Sequence, residues 1–211
     1  MLPFLSQVES PVVQTYKGAS MKQKNLLDKY RKKRDFKKTP EPSGKPRRAT
    51  ERSKQPMFVI QKHDATRLHY DFRIEAEGVL KSWAVPKGLS TNPRDKRLAV
   101  PTEDHPMSYG RFEGVIPEGN YGAGNVIVWD IGTYRNLSDV PIEEGLRSGR
   151  VKIWLDGKKM KGGYALARTG MRPEKWLLIK LRDEQADAKR DITKTDPNSV
   201  LSGKSVDEIA A

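Results

Sequence analysis

The feature that most constrains the fold is a series of short segments rich in β-branched and aromatic residues, each bounded by Gly, Pro, Asn or Asp. Such segments, without long helical patterns between them, favour antiparallel strands. We therefore predict a mainly β protein, either a small antiparallel β-barrel or a sandwich, with one or two short helices. The predicted strands cover residues 57–60, 68–74, 79–85, 98–100, 125–131, 151–155, 164–167 and 176–181.

Two segments have helical patterns instead. Residues 21–36 place apolar side chains at helical spacing among Lys and Arg, which predicts a short helix. Residues 140–148 have Pro141 in the first turn and Gly149 directly after the end, as helices commonly do. Asp139 is the predicted N-cap of this second helix.

Composition divides the chain into four parts. We leave residues 1–20 unassigned and predict a basic arm with a proline-rich linker over 21–56. The β-barrel domain would cover 57–182, and a flexible polar tail or linker would cover 183–211. The net charge of the chain is +13, and residues 17–54 carry most of it, with 15 Lys and Arg against 4 Asp and Glu. Such an arm suits a nucleic-acid backbone or an anionic membrane surface.

The chain contains no cysteine, which excludes disulfides and thiolate metal sites. Any metal must therefore bind to nitrogen and oxygen ligands. No apolar run approaches the roughly 18 residues that indicate a membrane span. Residues 1–20 have no basic start and contain two prolines, so we expect no signal peptide. These features favour a cytoplasmic protein, without membrane association.

Polar side chains cluster in a strictly alternating segment, residues 68–75. Alternation puts its apolar side chains on one face of a strand and His69, Asp71 and Arg73 on the other. Neighbours on one face are about 6–7 Å apart at their roots, so His69 and Asp71 could share an ion. His63 lies six residues before His69, in the turn that would precede this strand.

Two imidazoles and a carboxylate suit Mn²⁺, Zn²⁺ or Fe²⁺ and leave coordination positions open for substrate and water. The guanidinium of Arg73 has the planar geometry that matches a phosphate group. The alternative interpretation is an edge strand whose polar face is merely solvated. His63 would then be a hydrogen-bonded turn residue.

A second polar cluster follows in residues 101–109. His105 precedes a proline, which extends its backbone, and its imidazole could bind a phosphate oxygen or transfer a proton. Tyr109 could donate a hydrogen bond to the same oxygens. Lys87 and Arg97 could extend a basic track for a DNA backbone. For all four residues an ordinary polar surface is the alternative.

The remaining aromatic and glycine patterns indicate structure only. The glycine-rich segment 119–124 matches neither dinucleotide nor phosphate-binding loops, so we interpret it as a hairpin turn. Trp83, Trp129, Trp154 and Trp176 lie in predicted strands and are expected in the core rather than as base-stacking platforms.

Several motifs nevertheless resemble one known family, the 3′-phosphoesterase module of bacterial DNA ligase D. The resemblance covers residues from about 24 to 182. It is concentrated in residues 58–73, which contain His63, His69, Asp71 and Arg73, and in residues 30–36, 39–42, 82–88, 103–109 and 112–122. The tail from 197 onward resembles the linker that leads into the ligase domain of such proteins.

The resemblance implies a small β-barrel and an enzyme that removes 3′-phosphate and 3′-terminal ribonucleosides from DNA ends. It implies a Mn²⁺ site, with Zn²⁺ or Co²⁺ as other possible ions, held by His63, His69 and Asp71. Arg73 and His105 would hold the phosphate. The residues expected to support catalysis are Tyr109, Lys87, Arg97 and Glu103. Those expected to contact the substrate or serve the ribonucleoside step are Arg34, Asp35, Glu41, Glu103 and Ser82.

Expected partners are DNA or RNA–DNA primer-template ends, ligase and polymerase domains, and the end-binding protein Ku, in a nucleoid-associated location. Two other functions stay open at this point. A non-haem Fe(II) oxygenase also uses two histidines and a carboxylate, although its second histidine usually lies on a distant downstream strand. A non-catalytic nucleic-acid-binding module would have a structural metal or none.

Overall fold

The computed structural model describes residues 25–44, 55–170 and 174–210. Nine strands and three short α-helices make up most of the described chain, together with two short 3₁₀ helices at Met107–Arg111 and Glu208–Ala210. The strands are β1 Met57–Asp64, β2 Leu68–Ala76, β3 Val79–Val85, β4 Lys96–Pro101, β5 Gly114–Ile116, β6 Gly124–Asn136, β7 Arg150–Gly157, β8 Lys161–Arg168 and β9 Trp176–Lys180. The helices are α1 Asp28–Lys32, α2 Ile142–Ser148 and α3 Ile192–Thr195.

Eight of the strands close into an antiparallel barrel. The sheet runs in the order β1-β2-β3-β4-β9-β8-β7-β6, and β1 pairs again with β6 to complete the ring. The short β5 pairs with the start of β6, outside the ring. The prediction of a mainly β, antiparallel barrel is confirmed, and every predicted strand is present. The pattern missed β5 because it has three residues, one of which is glycine.

The barrel interior is filled by alternate side chains from all eight strands of the ring. Trp83, Trp129 and Trp176 belong to this core, as predicted, whereas Trp154 is only half-buried and lies beside the Arg135 guanidinium. Tyr70, Phe72 and Ile74 of β2 also face inward. The apolar face predicted for this strand is therefore confirmed.

A second apolar cluster covers the outer surface of the barrel next to β1, β3 and β6. It is built around Val59, Leu80 and Val128 on the strands, with Tyr30 from the arm and Tyr109 from the segment after β4. This layer lies over part of the polar face of β2. The alternative interpretation of a solvated strand face is wrong for Asp71 and Arg73, which are 7% and 2% exposed, whereas His69 and Glu75 on the same face are half-buried.

The helices are shorter than predicted. Helix α2 ends at Gly149, which adopts a left-handed conformation with φ 84°, as the sequence indicated. Its N-cap is Pro141, without a side-chain cap, so the predicted role of Asp139 is wrong. Within the predicted arm helix, α1 begins at Asp28, and residues 21–24 lie outside the described part of the chain. No described helix combines the length and apolarity that crossing a membrane requires.

The segment predicted as a flexible tail packs along the barrel. Ile192 is buried in the barrel core, and the Trp129 indole N–H donates to the Asp196 carbonyl at 2.6 Å. Farther along, the Val200 N–H donates to the Val128 carbonyl at 3.0 Å. A few well-spaced apolar side chains thus anchor a polar segment whose average composition indicated no packing. The domain boundaries themselves stay a prediction.

Candidate metal and phosphate site

The hairpin of β1 and β2 places the predicted metal ligands side by side. His63 pairs directly with His69, and Gln61 pairs with Asp71. His63 therefore lies within strand β1, and the prediction that it occupies a turn is wrong. The pairing of β1 with β2 is unbroken from Phe58 to Asp64, so His63 faces outward like Val59 and Gln61 by simple alternation, although the pairing with β6 shifts by one residue after Ile60.

His63, His69 and Asp71 each offer one ligand atom, and these atoms lie within 4.8 Å of one another. Nδ1 of His63 is 3.7 Å from Oδ2 of Asp71, and Nε2 of His69 is 3.8 Å from Oδ1. One strand pair thus supplies all three donors. The set of two nitrogens and one oxygen fits a divalent ion such as Mn²⁺, Zn²⁺ or Co²⁺.

The orientation of both imidazoles supports a metal site. The Nε2–H of His63 donates to the carbonyl of Gly122 at 2.9 Å, and the Nδ1–H of His69 donates to the carbonyl of Arg67 at 2.9 Å. The other ring nitrogen of each imidazole faces Asp71, at 3.7 and 3.8 Å from its carboxylate oxygens. Carbonyl partners of this kind are what metal-bound histidines usually have on their far side.

Arg73 continues the row of polar side chains next to Asp71. Its Nη2 donates to Asp71 Oδ2 at 3.0 Å, and its Nε donates to Gln61 Oε1 at 2.8 Å. Burial would raise the pKa of Asp71, but the Arg73 guanidinium and the two imidazoles outweigh it and hold that pKa well below its usual range. Asp71 is thus a carboxylate at any ordinary pH.

His105 lies on the other side of Arg73, on the segment that pairs with β3 through Leu80. Its Nδ1 lies 2.8 Å from both Arg73 Nη1 and the Glu103 carbonyl oxygen, and its Nε2 is 3.4 Å from Arg34 Nη2. Ser82 Oγ is 3.3 Å from the same Nδ1. Burial and the two guanidinium groups hold the pKa of His105 well below its ordinary value, so the imidazole is neutral at pH 7.

The arm contributes a second buried guanidinium. Arg34 donates from Nε to Glu41 at 2.8 Å and from Nη1 to Glu103 at 2.9 Å, and its side chain is only 4% exposed. Glu103 also accepts from Lys33 at 2.9 Å. The Tyr30 hydroxyl donates to the Pro42 carbonyl at 2.6 Å and holds the arm in its bent path. The arm therefore completes one wall of the site.

Tyr109 is buried next to this wall. Its hydroxyl donates to Glu41 Oε1 at 3.1 Å, and its ring lies 5.0 Å from the Arg73 guanidinium. Burial raises the pKa of Tyr109 well above its ordinary value, so the hydroxyl remains a donor. The sequence predicted a hydroxyl directed at a bound phosphate, but in this structure the hydroxyl is directed at Glu41.

Three predicted residues are not part of this connected group. Lys87 is exposed in the turn after β3. Arg97 on β4 pairs with Asp95 at 2.9 Å. Asp35 is exposed, and its contacts are with the nearby Lys37 and Lys38. The structure thus places these three outside the hydrogen-bonded network that joins the other predicted residues.

The sequence interpretation missed Gln61, which is fully buried at the centre of the site. Its Nε2 donates to the carbonyls of Tyr109 and Phe112 at 3.1 and 2.9 Å, while its Oε1 accepts from Arg73. Alternation was a usable signal, because Gln61 and His63 are two residues apart and share a face if β1 is extended. No sequence pattern indicated that the Gly122 carbonyl would accept a hydrogen bond from His63.

The assembled site combines the candidate metal-binding triangle of His63, His69 and Asp71 with two guanidiniums and a neutral imidazole. Such a set suits a doubly charged anion, since an ion held by the triangle and Arg73 would both supply positive charge at short range. Asp71, Glu41 and Glu103 balance the buried arginines in the free protein. The arrangement therefore suits a phosphate group at the end of a nucleic-acid strand.

Comparison with known proteins agrees with the resemblance seen in the sequence motifs. A family model described as the DNA Ligase D 3′-phosphoesterase domain matches residues 61–168. The multifunctional non-homologous end joining protein LigD of Pseudomonas aeruginosa is 50% identical over 185 residues, which are 85% of this chain and 22% of that protein. The LigD DNA repair protein of Mycobacterium tuberculosis is 47% identical over 161 residues, or 75% of this chain and 20% of its own length.

The chain therefore spans about a fifth of the length of the curated relatives that it matches. The matched region nevertheless includes all three residues of the metal-binding triangle together with Arg73, His105 and Tyr109. The resemblance noted in the sequence motifs is confirmed, and the chain belongs to the family of DNA ligase D 3′-phosphoesterase domains.

Proposed function

We propose that the chain is a metal-dependent phosphoesterase that removes 3′-phosphate and 3′-terminal ribonucleosides from DNA ends and leaves a 3′-hydroxyl. The observation that carries this proposal is the row formed by the metal-binding triangle, Arg73 and His105, in which adjacent groups are joined at 2.8 to 3.8 Å. The proposed metal is Mn²⁺, with Zn²⁺ or Co²⁺ as substitutes. The proposed setting is end joining, as in the names of the relatives.

A divalent ion held by His63, His69 and Asp71 would offset phosphate charge and lower the pKa of water. Arg73 would bind two phosphate oxygens through its planar group, because Gln61 fixes its orientation from behind. His105 is neutral in the free protein, and a bound dianion would favour its protonated form. It would then stabilise the transferring phosphoryl group and donate to the leaving 3′-oxygen.

The arm would serve the removal of 3′-terminal ribonucleosides rather than the removal of 3′-phosphate. Glu41 and Glu103, together with Arg34, form the wall next to His105 and offer oxygen acceptors near the terminal sugar. A ribose 2′-hydroxyl is a donor that deoxyribose lacks, so carboxylates here would favour a terminal ribonucleoside. Tyr109, Ser82, Lys87, Arg97 and Asp35 would support substrate binding. Ligase and polymerase domains and Ku are the proposed partners.

The decisive experiment measures inorganic phosphate released from a 3′-phosphate primer-template by the metal-loaded chain in Mn²⁺. We expect turnover by the wild-type chain, and loss of turnover in His69→Ala. The rate should also fall as salt is raised, because contacts with the DNA backbone release bound counterions. Absence of phosphate release from folded, metal-loaded protein would reject the proposal.

The same preparation tests the two alternative functions. An oxygenase would consume O₂ together with 2-oxoglutarate in the presence of Fe²⁺, which the proposed phosphoesterase does not require. A non-catalytic binding module would retain DNA binding in His69→Ala, and neither the wild-type chain nor the variant would release phosphate. A primer with one terminal ribonucleoside and no 3′-phosphate tests the second proposed activity separately.

A further inference from the structure

Tyr121 is the most exposed large hydrophobic side chain in the described part of the chain, at 48%. It lies in the loop that joins β5 to β6, within the glycine-rich segment interpreted from sequence as a hairpin turn. Neither the fold nor the proposed chemistry requires an aromatic ring at this place.

The surroundings of the ring are cationic. Lys33 donates from Nζ to the Tyr121 hydroxyl at 2.9 Å, and the same nitrogen lies 4.2 Å from the ring centroid. The Arg34 guanidinium is 5.5 Å from that centroid. Tyr121 therefore lies where the basic arm approaches the loop of the barrel, beside Lys33 and Arg34, which both also pair with Glu103. Only the Lys33 side chain, 40% exposed, is accessible to a nucleic-acid backbone.

The loop that carries the ring also contacts the metal-binding triangle. Gly122, the next residue, accepts the hydrogen bond from His63 at 2.9 Å, so the loop and a proposed metal ligand are joined directly. Gly122 has φ 76°, a conformation that fixes the turn from which Tyr121 projects. A nucleoside whose 3′-phosphate is bound at the triangle would thus have its base close to this ring.

We propose that Tyr121 is a stacking platform for the base of the terminal nucleoside, with Lys33 beside it to contact the strand's phosphates. This inference rests on the proposed function and names how that site positions its substrate. Aromatic rings beside positive charge bind single-stranded ends without sequence preference, because every base has a π face. Tyr121 is a positioning residue and takes no part in the chemical step.

The test compares two 3′-phosphate primers that differ only at the terminal nucleoside, which carries a base in one and is abasic in the other. We expect Tyr121→Ala to lower kcat/KM for the primer with the base by about 5- to 150-fold, the range that corresponds to loss of one stacked base. The loss should appear in KM, while the abasic primer should be hydrolysed equally well by both proteins. Tyr121→Phe should restore most of the base-dependent difference.

The control is Leu137→Ala, which removes another exposed apolar side chain, 42% exposed, from the loop after β6. It should leave the ratio between the two primers unchanged. An equal loss on both primers in Tyr121→Ala would overturn the inference, because the ring would then serve only to hold Lys33. Loss in Tyr121→Phe equal to that in Tyr121→Ala would overturn it as well.

A binding measurement separates this inference from the proposed catalytic function. A primer with 2-aminopurine as its terminal base is titrated with the chain in metal-free buffer, and quenching of its fluorescence reports stacking. We expect quenching by the wild-type chain and none by Tyr121→Ala. Quenching without phosphate release in Mn²⁺ would support the stacking platform and reject the phosphoesterase function. Phosphate release without Tyr121-dependent quenching would support the phosphoesterase function and reject the stacking platform.

Discussion

His63 and His69 face each other as directly paired residues of two antiparallel strands, with ring centroids 4.8 Å apart. Six residues of sequence separate them, yet the tight β1–β2 hairpin makes them neighbours on one surface. Asp71 follows on the same face, so a single hairpin supplies every ligand of the proposed metal site. Such a site needs little beyond correct strand register, because a slip of one residue between β1 and β2 would put His63 on the opposite face from His69 and Asp71.

Asp71→Asn should abolish most metal binding and turnover. The amide keeps the shape of the side chain but removes the charge that attracts a cation, and it leaves Arg73 without its carboxylate partner. We expect the affinity for Mn²⁺, measured by calorimetry, to fall by at least the about 10- to 100-fold typical of losing an outer partner. Asp156→Asn, at an exposed carboxylate of β7, is the matched control and should bind Mn²⁺ normally.

Gln61→Leu should lower kcat while Mn²⁺ still binds. It leaves Arg73 Nε and the carbonyls of Tyr109 and Phe112 without their present partner, at a cost of about 1–3 kcal/mol for each buried group left unpaired. Steady-state kinetics and denaturant unfolding measure the two effects. Gln61→Glu keeps an acceptor for Arg73 and should retain more activity. Equal activity in both variants would show that the orientation of Arg73 is unimportant.

The buried imidazole of His105 should make folding stability depend on pH. Its pKa is lower in the folded than in the unfolded chain, so the unfolded chain binds more protons below the ordinary histidine pKa of about 6.5. Stability is therefore lost as pH falls below that value. Denaturant unfolding at pH 7.5 and pH 5, in metal-free buffer, should show a smaller loss for His105→Asn than for wild type. The same loss in both would contradict the prediction.

Arg34→Met should release the arm from the barrel. The change leaves the buried Glu41 and Glu103 without their guanidinium, and breaking such a pair typically costs about 3–5 kcal/mol. Limited proteolysis should then cut within residues 25–44 much faster than in wild type. Lys38→Ala is the control, because its pair with Asp35 is exposed and screened by water. A cleavage rate unchanged by Arg34→Met would show that other contacts hold the arm.

Much of the site was predictable from short-range pattern. Alternation in residues 68–75 identified His69, Asp71 and Arg73 as one face, and β2 has that face. His63 was included in the predicted ligand set but misplaced in a turn, because its strand contains the polar residues Gln61 and Lys62, which weaken the apolar signal. The same misplacement hid Gln61.

Other features depended on contacts between distant parts of the chain. The arm looked like a charged extension, yet Tyr30 is fully buried and Arg34 pairs with Glu103, 69 residues away. Composition averages over a segment, whereas burial depends on one or two side chains that find an apolar surface elsewhere. The packed segment after β9 was missed for the same reason.

Local residue order was sufficient to define a barrel of short strands and the polar row of β2, because a period of two residues is a property of a single strand and survives any arrangement of its neighbours. Tertiary packing decided that Asp71 and Arg73 of this row are buried, that His105 lies between two arginines, and that Tyr121 is left exposed beside Lys33. Those outcomes depend on which surfaces meet after the chain closes, and they set the charge, burial and protonation on which the proposed chemistry depends.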